Sequence, residues 1–126
     1  MDKKDKSSTK KTIALVFGLI VGGLGLLGLF MGDGKIMTDS MNIDMMLDIA
    51  RIALGGLLIY GSLNNNATAS LSLFIFGVAY LGMFVMGLIS PSLFGLLPSE
   101  LGSMDQILHA GGGIIAVIAA KMGDKD

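Results

Sequence analysis

Two uninterrupted runs without a charged residue, 12–31 and 71–89, most constrain how this chain folds. An α-helix rises about 1.5 Å per residue, so a helix of about 20 apolar residues crosses a hydrocarbon core about 30 Å thick. Charged residues make up only 15% of the 126 residues, whereas hydrophobic residues make up 52%. Because this leaves too little charge to cover a water-soluble domain, the sequence predicts an integral membrane protein.

Two further apolar segments bring the predicted number of spans to four. They carry charges near their first turns but are long enough to cross the membrane. We therefore predict an all-α fold, an integral membrane four-helix bundle, with a basic tail at 1–11, one domain at 12–121 and a short tail at 122–126. The first run is too long for a signal-peptide core and lacks a small-residue cleavage pattern, so we interpret it as an uncleaved span. The predicted spans are 12–31, 43–63, 71–89 and 104–121.

Lysine positions predict the orientation of these spans. Lysines cluster before the first span and after the last one, whereas the loops after the first and third spans have an excess of acidic residues. Because positive residues favour the cytoplasmic side, we expect both termini in the cytoplasm and the two acidic loops outside. The lysines that carry this prediction are Lys3, Lys4, Lys6, Lys10, Lys11, Lys121 and Lys125.

Polar residues and prolines mark the predicted helix ends. Asn42 and Ser103 are of the residue types preferred at N-caps, and Ser103 with Gln106 fits a capping box. Pro91 and Pro98 bracket the short apolar segment SLFGLL. We expect this segment to lie along the outer interface of the membrane and not to span it.

The chain also contains an internal repeat. The stretch FGLIVGGLGLLGLF, 17–30, resembles FGVAYLGMFVMGLI, 76–89, and NIDMMLD, 42–48, resembles SMDQILH, 103–109. The repeating unit contains two spans. We therefore predict a bundle built from a duplicated two-helix hairpin, with the halves related by a pseudo-two-fold axis along the membrane normal.

The stretch LFGLLPSELGSMDQILHAGGG, 93–113, resembles the signature of an uncharacterised prokaryotic domain-of-unknown-function family of small four-helix membrane proteins. Members of that family have Asn or Asp followed four residues later by His at the starts of spans two and four. Asp105 and His109 fit this pattern, whereas Asp48 stands where the family has His. The resemblance covers about residues 11–120. It implies the four-helix fold and a multi-pass location in the prokaryotic cytoplasmic membrane, and it implies no activity.

Ionisable residues form two matching stripes at helical spacing. On the second span Asp44, Asp48 and Arg51 share one helix face, and on the fourth span Asp105 and His109 do. A charge within the bilayer is costly unless it is paired, so we predict that the two stripes face each other inside the bundle. Asp48, one turn before Arg51, is the first expected partner of that arginine, and His109 is an additional candidate. These five residues form the candidate binding site.

Two functions remain open for this polar cluster. Buried polar groups between membrane helices often serve to hold the helices together, which predicts a structural or accessory protein. The alternative is a small-ligand, ion or proton binding or transport unit that opens to the outer face. Ionisable residues within membranes often mark such sites, and histidine changes charge near physiological pH.

Composition argues against several other function classes. The chain has no cysteine and one histidine, which excludes thiol catalysis, Cys-ligated metals and multi-histidine metal chemistry. No serine has a histidine at the spacing of a known hydrolase family, so we predict no enzyme, no catalytic residue, no metal and no cofactor. A net charge of −1 does not indicate nucleic-acid binding. The expected partners are membrane lipids and, through small-residue helix faces, other membrane proteins or further copies of this chain.

Small residues form stripes on the first and fourth spans. Such faces let helices approach each other closely. We expect them to pack helices within the bundle, with a homodimer or partner interface as the alternative. The stripes are Gly18, Gly22 and Gly25 on the first span, and Gly112, Ala116 and Ala120 on the fourth.

Overall fold

Four helices make up most of the structure. The computed structural model of the protein describes residues 9–36, 40–97 and 99–122. The two short strands pair antiparallel in the connection between the first two helices, with Lys35 opposite Asn42. This architecture confirms the predicted all-α four-helix bundle. In chain order the elements are α1 (Thr9–Met31), β1 (Lys35–Ile36), β2 (Met41–Asn42), α2 (Met45–Ser62), α3 (Asn66–Ile89) and α4 (Ser103–Ala120).

All four helices are long and apolar enough to cross a membrane. They contain 23, 18, 24 and 18 residues, and even the shorter ones extend about 27 Å at about 1.5 Å per residue. The faces that point away from the bundle carry exposed leucine, isoleucine, valine and phenylalanine side chains. The chain is therefore a multi-pass membrane protein, and its outward faces are suited to contact with lipid tails.

The helices pack as two hairpins, α1 with α2 and α3 with α4, and α2 also contacts α3. Glycines permit the close approach within the first hairpin, since a Cβ added at Gly55 would lie 2.6 Å from the backbone nitrogen of Gly22. A Cβ at Gly18 would lie 2.8 Å from the backbone oxygen of Gly55. The small-residue stripe predicted on the first span therefore packs helices within the bundle, as expected.

The residues of the stripe predicted on the fourth span do not all pack against another helix. Ala116 is buried in the core and Ala120 packs against it. Helices α3 and α4 approach each other closely at Gly113, because a Cβ at Gly77 would lie 3.0 Å from the backbone oxygen of Gly113. Gly112, which the prediction placed in the stripe, lines a cavity described below.

Aromatic rings form a row through the centre of the bundle. Phe17, Phe76, Tyr80 and His109 contact one another in succession, with ring centroids 5.8, 4.1 and 4.8 Å apart. The row begins on α1, continues along α3 and ends on α4. It therefore links the two hairpins through apolar contacts, and its last ring lies where the core meets the polar residues.

The start of α2 differs from the prediction. The N-cap residue is Asp44, so the prediction of Asn42 as N-cap is wrong. Asn42 belongs to β2 instead. The Asp44 side chain makes no cap hydrogen bond to its own helix, and the carboxylate of Asp33 accepts a bond from the backbone nitrogen of Met45 at 2.9 Å. A residue from the preceding loop therefore supplies the acceptor that the sequence pattern assigned to Asn42.

The start of α4 differs in a similar way. The N-cap residue is Gly102, so the prediction of Ser103 as N-cap is wrong. The backbone nitrogen of Gly102 donates to Asp105 Oδ2 at 2.8 Å. Gln106, the predicted partner in a capping box, donates through Nε2 to the backbone oxygen of Phe84 at 3.2 Å. The aspartate takes the position predicted for the glutamine because the N-cap lies one residue earlier, which makes Asp105 the third residue of the helix.

Two helices begin earlier than the apolar runs that predicted them. Helix α1 begins at Thr9 instead of residue 12, and α3 begins at Asn66 instead of residue 71. Asn65 caps α3, since its Oδ1 accepts from the backbone nitrogen of Thr68 at 2.8 Å. A capped polar first turn extends a helix beyond its apolar run, which is why the runs underestimated its length.

The connection 90–102 folds back onto the bundle. Leu93 and Leu97 are buried against Leu47 of α2, whereas Phe94 is exposed. The segment SLFGLL, predicted to lie along an interface, therefore also contributes to the core.

Several predictions concern residues outside the described part of the chain. They involve Lys3, Lys4, Lys6, Pro98 and Lys125. Of the predicted basic tail, residues 9–11 belong to α1, where Lys10 Nζ donates to Ser70 Oγ at 2.6 Å. The internal repeat, its symmetry axis and the orientation of the spans stay predictions.

Candidate functional site

A polar cluster occupies one end of the bundle, which we call the acidic end. At this end lie the described parts of the two connections, 32–36 and 40–44 between α1 and α2, and 90–97 and 99–102 between α3 and α4. Each residue of the cluster is at most 3% exposed. The cluster consists of Asn42, Asp44, Asp48, Arg51 and Asp105.

Arg51 joins the two hairpins. It lies six residues after the start of α2, about 9 Å along the helix at about 1.5 Å per residue. Its Nη1 donates to Asp48 Oδ1 at 3.2 Å, and its Nη2 donates to Asp105 Oδ1 at 2.9 Å. The predicted pairing of Arg51 with Asp48 is confirmed, and the two stripes do meet inside the bundle. The bond to Asp105 crosses from α2 to α4.

Asp105 also holds backbone groups on two segments. Its Oδ2 accepts from the backbone nitrogen of Asn42 at 2.7 Å and from that of Gly102 at 2.8 Å. Both oxygens of this buried carboxylate are therefore hydrogen-bonded. One carboxylate connects strand β2, the first turn of α4 and the guanidinium of Arg51.

Asp44 ties together the two connections at the acidic end. Its Oδ1 accepts from the backbone nitrogen of Gly34 at 3.2 Å, and its Oδ2 accepts from that of Ser99 at 2.7 Å and from Asn42 Nδ2 at 3.0 Å. Burial raises the pKa of this carboxyl, but the hydrogen bonds from Ser99, Asn42 and Gly34 outweigh it and hold the pKa below its ordinary value of 3.8. Asp44 is therefore ionised at neutral pH.

Asn42 is a cluster residue whose role the sequence did not reveal. Besides its bonds to Asp44 and Asp105, its Nδ2 donates to the backbone oxygen of Glu100 at 2.6 Å, and its Oδ1 accepts from the backbone nitrogen of Asp44 at 2.7 Å. The residue is fully buried. Only its position before the second span indicated a helix cap, and no local pattern indicates contacts with a loop 58 residues later.

Gly28 is a second residue that the prediction missed. A Cβ added there would overlap both carboxylate oxygens of Asp48. Because Gly28 has no side chain, α1 leaves room for the Asp48 carboxylate that pairs with Arg51. The Oδ2 atom of Asp48 is buried and has no hydrogen-bond partner among the described residues.

His109 lies beside the cluster but is not hydrogen-bonded to Arg51 in the described structure. Its ring meets the ring of Tyr80 edge-on, with an interplanar angle of 70°. The side chain is 2% exposed, and its Nδ1 is buried without a hydrogen-bond partner. His109 shares the wall of a cavity of about 140 Å³ with Arg51 and Asp105.

The five predicted site residues thus divide into two groups. Asp48, Arg51 and Asp105 form one ion-paired set, and Asp44 is linked to that set through Asn42. His109 belongs to the cavity. The described residues contain no group of three or more histidine or acidic side chains arranged to hold a metal ion.

Comparison with known proteins returned no family model, no curated protein and no solved structure that matches the chain. The family resemblance seen in the sequence stays a prediction.

Proposed function

We propose that this chain is a structural or accessory membrane protein in which the polar cluster fixes the fit between two helical hairpins. One observation carries the proposal: Arg51 donates both to Asp48 of its own helix and to Asp105 of α4. The charge of the arginine is thereby compensated within the chain. Polar groups buried between membrane helices commonly hold those helices together.

The surroundings of the ion pairs support a holding role. Asp105 binds the backbone of β2 and of the first turn of α4, and Asp44 binds the backbone of both connections at the acidic end. These bonds supply partners to backbone groups beside buried side chains, where an unpaired backbone group would be costly. The cluster therefore joins two helices and two connections at one end of the bundle.

The proposal includes a location and a class of partner. We propose that both termini lie in the cytoplasm and that the protein belongs to the cytoplasmic membrane of a prokaryote, as the lysine distribution and the family resemblance imply. Its partners are lipids and, in an accessory role, other membrane proteins or further copies of the chain. The apolar outward faces of the helices are compatible with all of these.

Native mass spectrometry of the protein extracted in lipid particles tests this proposal, because it detects bound lipids, proteins and small molecules together. The informative variant is Asp48→Asn/Arg51→Met/Asp105→Asn, which removes the three charges. We expect the wild type and this variant to retain the same lipids and protein partners. An ion or small acid bound to the wild type and lost from the variant would show that the charges serve ligand binding, and would contradict a structural role.

A further inference from the structure

The cavity beside His109 opens sideways into the membrane. Its exposed wall residues are Ile20 of α1 and Leu108 of α4, which are 56% and 40% exposed. Helices α1 and α4 pack against each other far less than the helices within either hairpin do. The opening therefore lies between α1 and α4, at lipid-facing surface, and not at the outer face of the membrane, where the sequence predicted a binding or transport site as the alternative function.

The size and walls of the cavity suit one small ring. Its volume is about 140 Å³, similar to the engineered apolar cavity of about 150 Å³ that binds benzene. Most of its wall is apolar, and the rings of Phe76 and Tyr80 form part of it. Aromatic rings pack favourably against another ring in offset-stacked or edge-to-face contact.

The charges near the cavity favour a neutral ligand. Two carboxylates already compensate the charge of Arg51, at 3.2 and 2.9 Å, and both would repel an anion. Asp105 is already ion-paired with Arg51, and the guanidinium would repel a second cation at this carboxylate. A neutral molecule avoids both conflicts and also crosses the lipid at the cavity mouth at little cost.

His109 lines this largely apolar site, and its buried Nδ1 has no hydrogen-bond partner among the described residues. A buried ring nitrogen without a hydrogen-bond partner lowers the stability of the protein, and a ligand that forms this hydrogen bond removes that cost. Imidazole nitrogens accept a hydrogen bond in one tautomer and donate one in the other. A hydroxyl or carbonyl group on a ring in the cavity would therefore complete the hydrogen bonding of His109.

We infer that this cavity is a binding site for a neutral, lipid-soluble molecule with a phenol- or quinone-type ring, whose oxygen hydrogen-bonds to His109. The ring enters from the membrane between α1 and α4 and packs against Phe76 and Tyr80. This site lies beside the ion-paired residues and does not depend on the structural role proposed for them.

Fluorine NMR with two probes tests the inference. The probes are 4-fluorophenol and fluorobenzene, which share size and shape but differ in the hydroxyl group. Each is titrated into the protein in lipid nanodiscs, with empty nanodiscs as the blank and unlabelled p-cresol as competitor. We expect saturable, competable binding of both probes, with 4-fluorophenol bound about five- to tenfold more tightly because of one additional hydrogen bond.

Three variants locate the site. Gly112→Val places a side chain against the Tyr80 ring at the cavity wall, whereas Gly111→Val, its matched control, points into open space. We expect the first to abolish binding of both probes and the second to bind like the wild type. His109→Phe keeps an aromatic ring but removes both ring nitrogens, so we expect 4-fluorophenol to bind no better than fluorobenzene.

Three results would overturn the inference. They are an absence of competable binding to the wild type, unchanged binding by Gly112→Val, and a retained preference for 4-fluorophenol in His109→Phe. Circular dichroism of each variant checks that the bundle is folded. All three variants keep the ion pairs of Arg51, so loss of ligand binding here leaves the structural proposal standing.

Discussion

Replacing Arg51 with methionine tests how much the ion-paired residues stabilise the bundle. Methionine has a similar length and no charge. The change leaves the carboxylates of Asp48 and Asp105 without the guanidinium to which both are bonded, at positions that are 0% and 1% exposed. Two like charges then remain buried at the junction of α2 and α4.

The expected magnitude follows from that burial. An ordinary hydrogen bond between membrane helices contributes on average about 0.6 kcal/mol. Removing one partner of a buried ion pair costs about 3–5 kcal/mol, because the remaining charge is left uncompensated. Arg51 has two such partners, so we expect the free energy of unfolding to fall by at least about 3 kcal/mol. A loss near 0.6 kcal/mol would indicate nothing beyond ordinary hydrogen bonds.

Unfolding in mixed micelles at increasing SDS fraction measures this loss. The chain has no tryptophan, so circular dichroism and tyrosine fluorescence follow the transition. Lys121→Met is the control, because it removes an exposed cation whose Nζ lies 5.7 Å from the centre of the Phe74 ring. Since such an exposed contact contributes about 0.5–1 kcal/mol, this change should lower stability by no more than about 1 kcal/mol.

The triple variant Asp48→Asn/Arg51→Met/Asp105→Asn completes the test. It removes the charges together, and the amide oxygen at position 105 can still accept from the two backbone nitrogens. Neutral replacement of a buried charged set is often tolerated, so we expect stability within about 1 kcal/mol of the wild type. An Arg51→Met variant as stable as Lys121→Met, or a triple variant as unstable as Arg51→Met, would show that uncompensated buried charge is not what destabilises the bundle.

Three further predictions concern Gly28, Asp44 and the orientation of the spans. Gly28→Ala should lower the free energy of unfolding by about 1–3 kcal/mol, because the added methyl group overlaps Asp48. Gly23→Ala is the control, since Gly23 has open space around it and the change should not lower the free energy of unfolding. SDS unfolding compares the two variants, and equal effects would refute the overlap. The lowered pKa of Asp44 stabilises the fold above the ordinary pKa of 3.8, and this contribution is lost as pH falls through the folded-state value. Unfolding between pH 7 and 3 should therefore show a steeper loss for the wild type than for Asp44→Asn, and identical curves would contradict it. Because the chain has no cysteine, a membrane-impermeant maleimide added to intact cells should label Glu100→Cys and not Asn64→Cys; the reverse pattern would invert the proposed orientation.

Helical periodicity made the central contacts of the site predictable. Asp48 and Arg51 are one turn apart, so their pairing follows from local geometry. The cost of an unpaired charge in a membrane then requires the stripe with Asp105 to face the same interior. The four apolar helices follow equally directly from the lengths of the apolar segments.

Contacts over long sequence distances explain what the sequence did not reveal. Asn42 looks like a helix cap, and only the folded chain shows it bonded to Glu100 and Asp105. Gly28 falls outside the predicted stripe, and its role depends on a carboxylate from another helix. The early start of α3 was missed because a polar, capped first turn does not extend an apolar run.

The division of charges between the hairpins has a consequence for how the protein is made. Asp48 and Arg51 neutralise each other within α2, so the first hairpin enters the bilayer as an electrically balanced unit while the ribosome is still synthesising the rest. Asp105 arrives later with α4, its carboxylate already bonded to the backbone of Gly102. The second nitrogen of Arg51 finds its partner only when the second hairpin docks. A half-made chain therefore differs from a finished one at Arg51, which has one carboxylate partner before α4 docks and two afterwards.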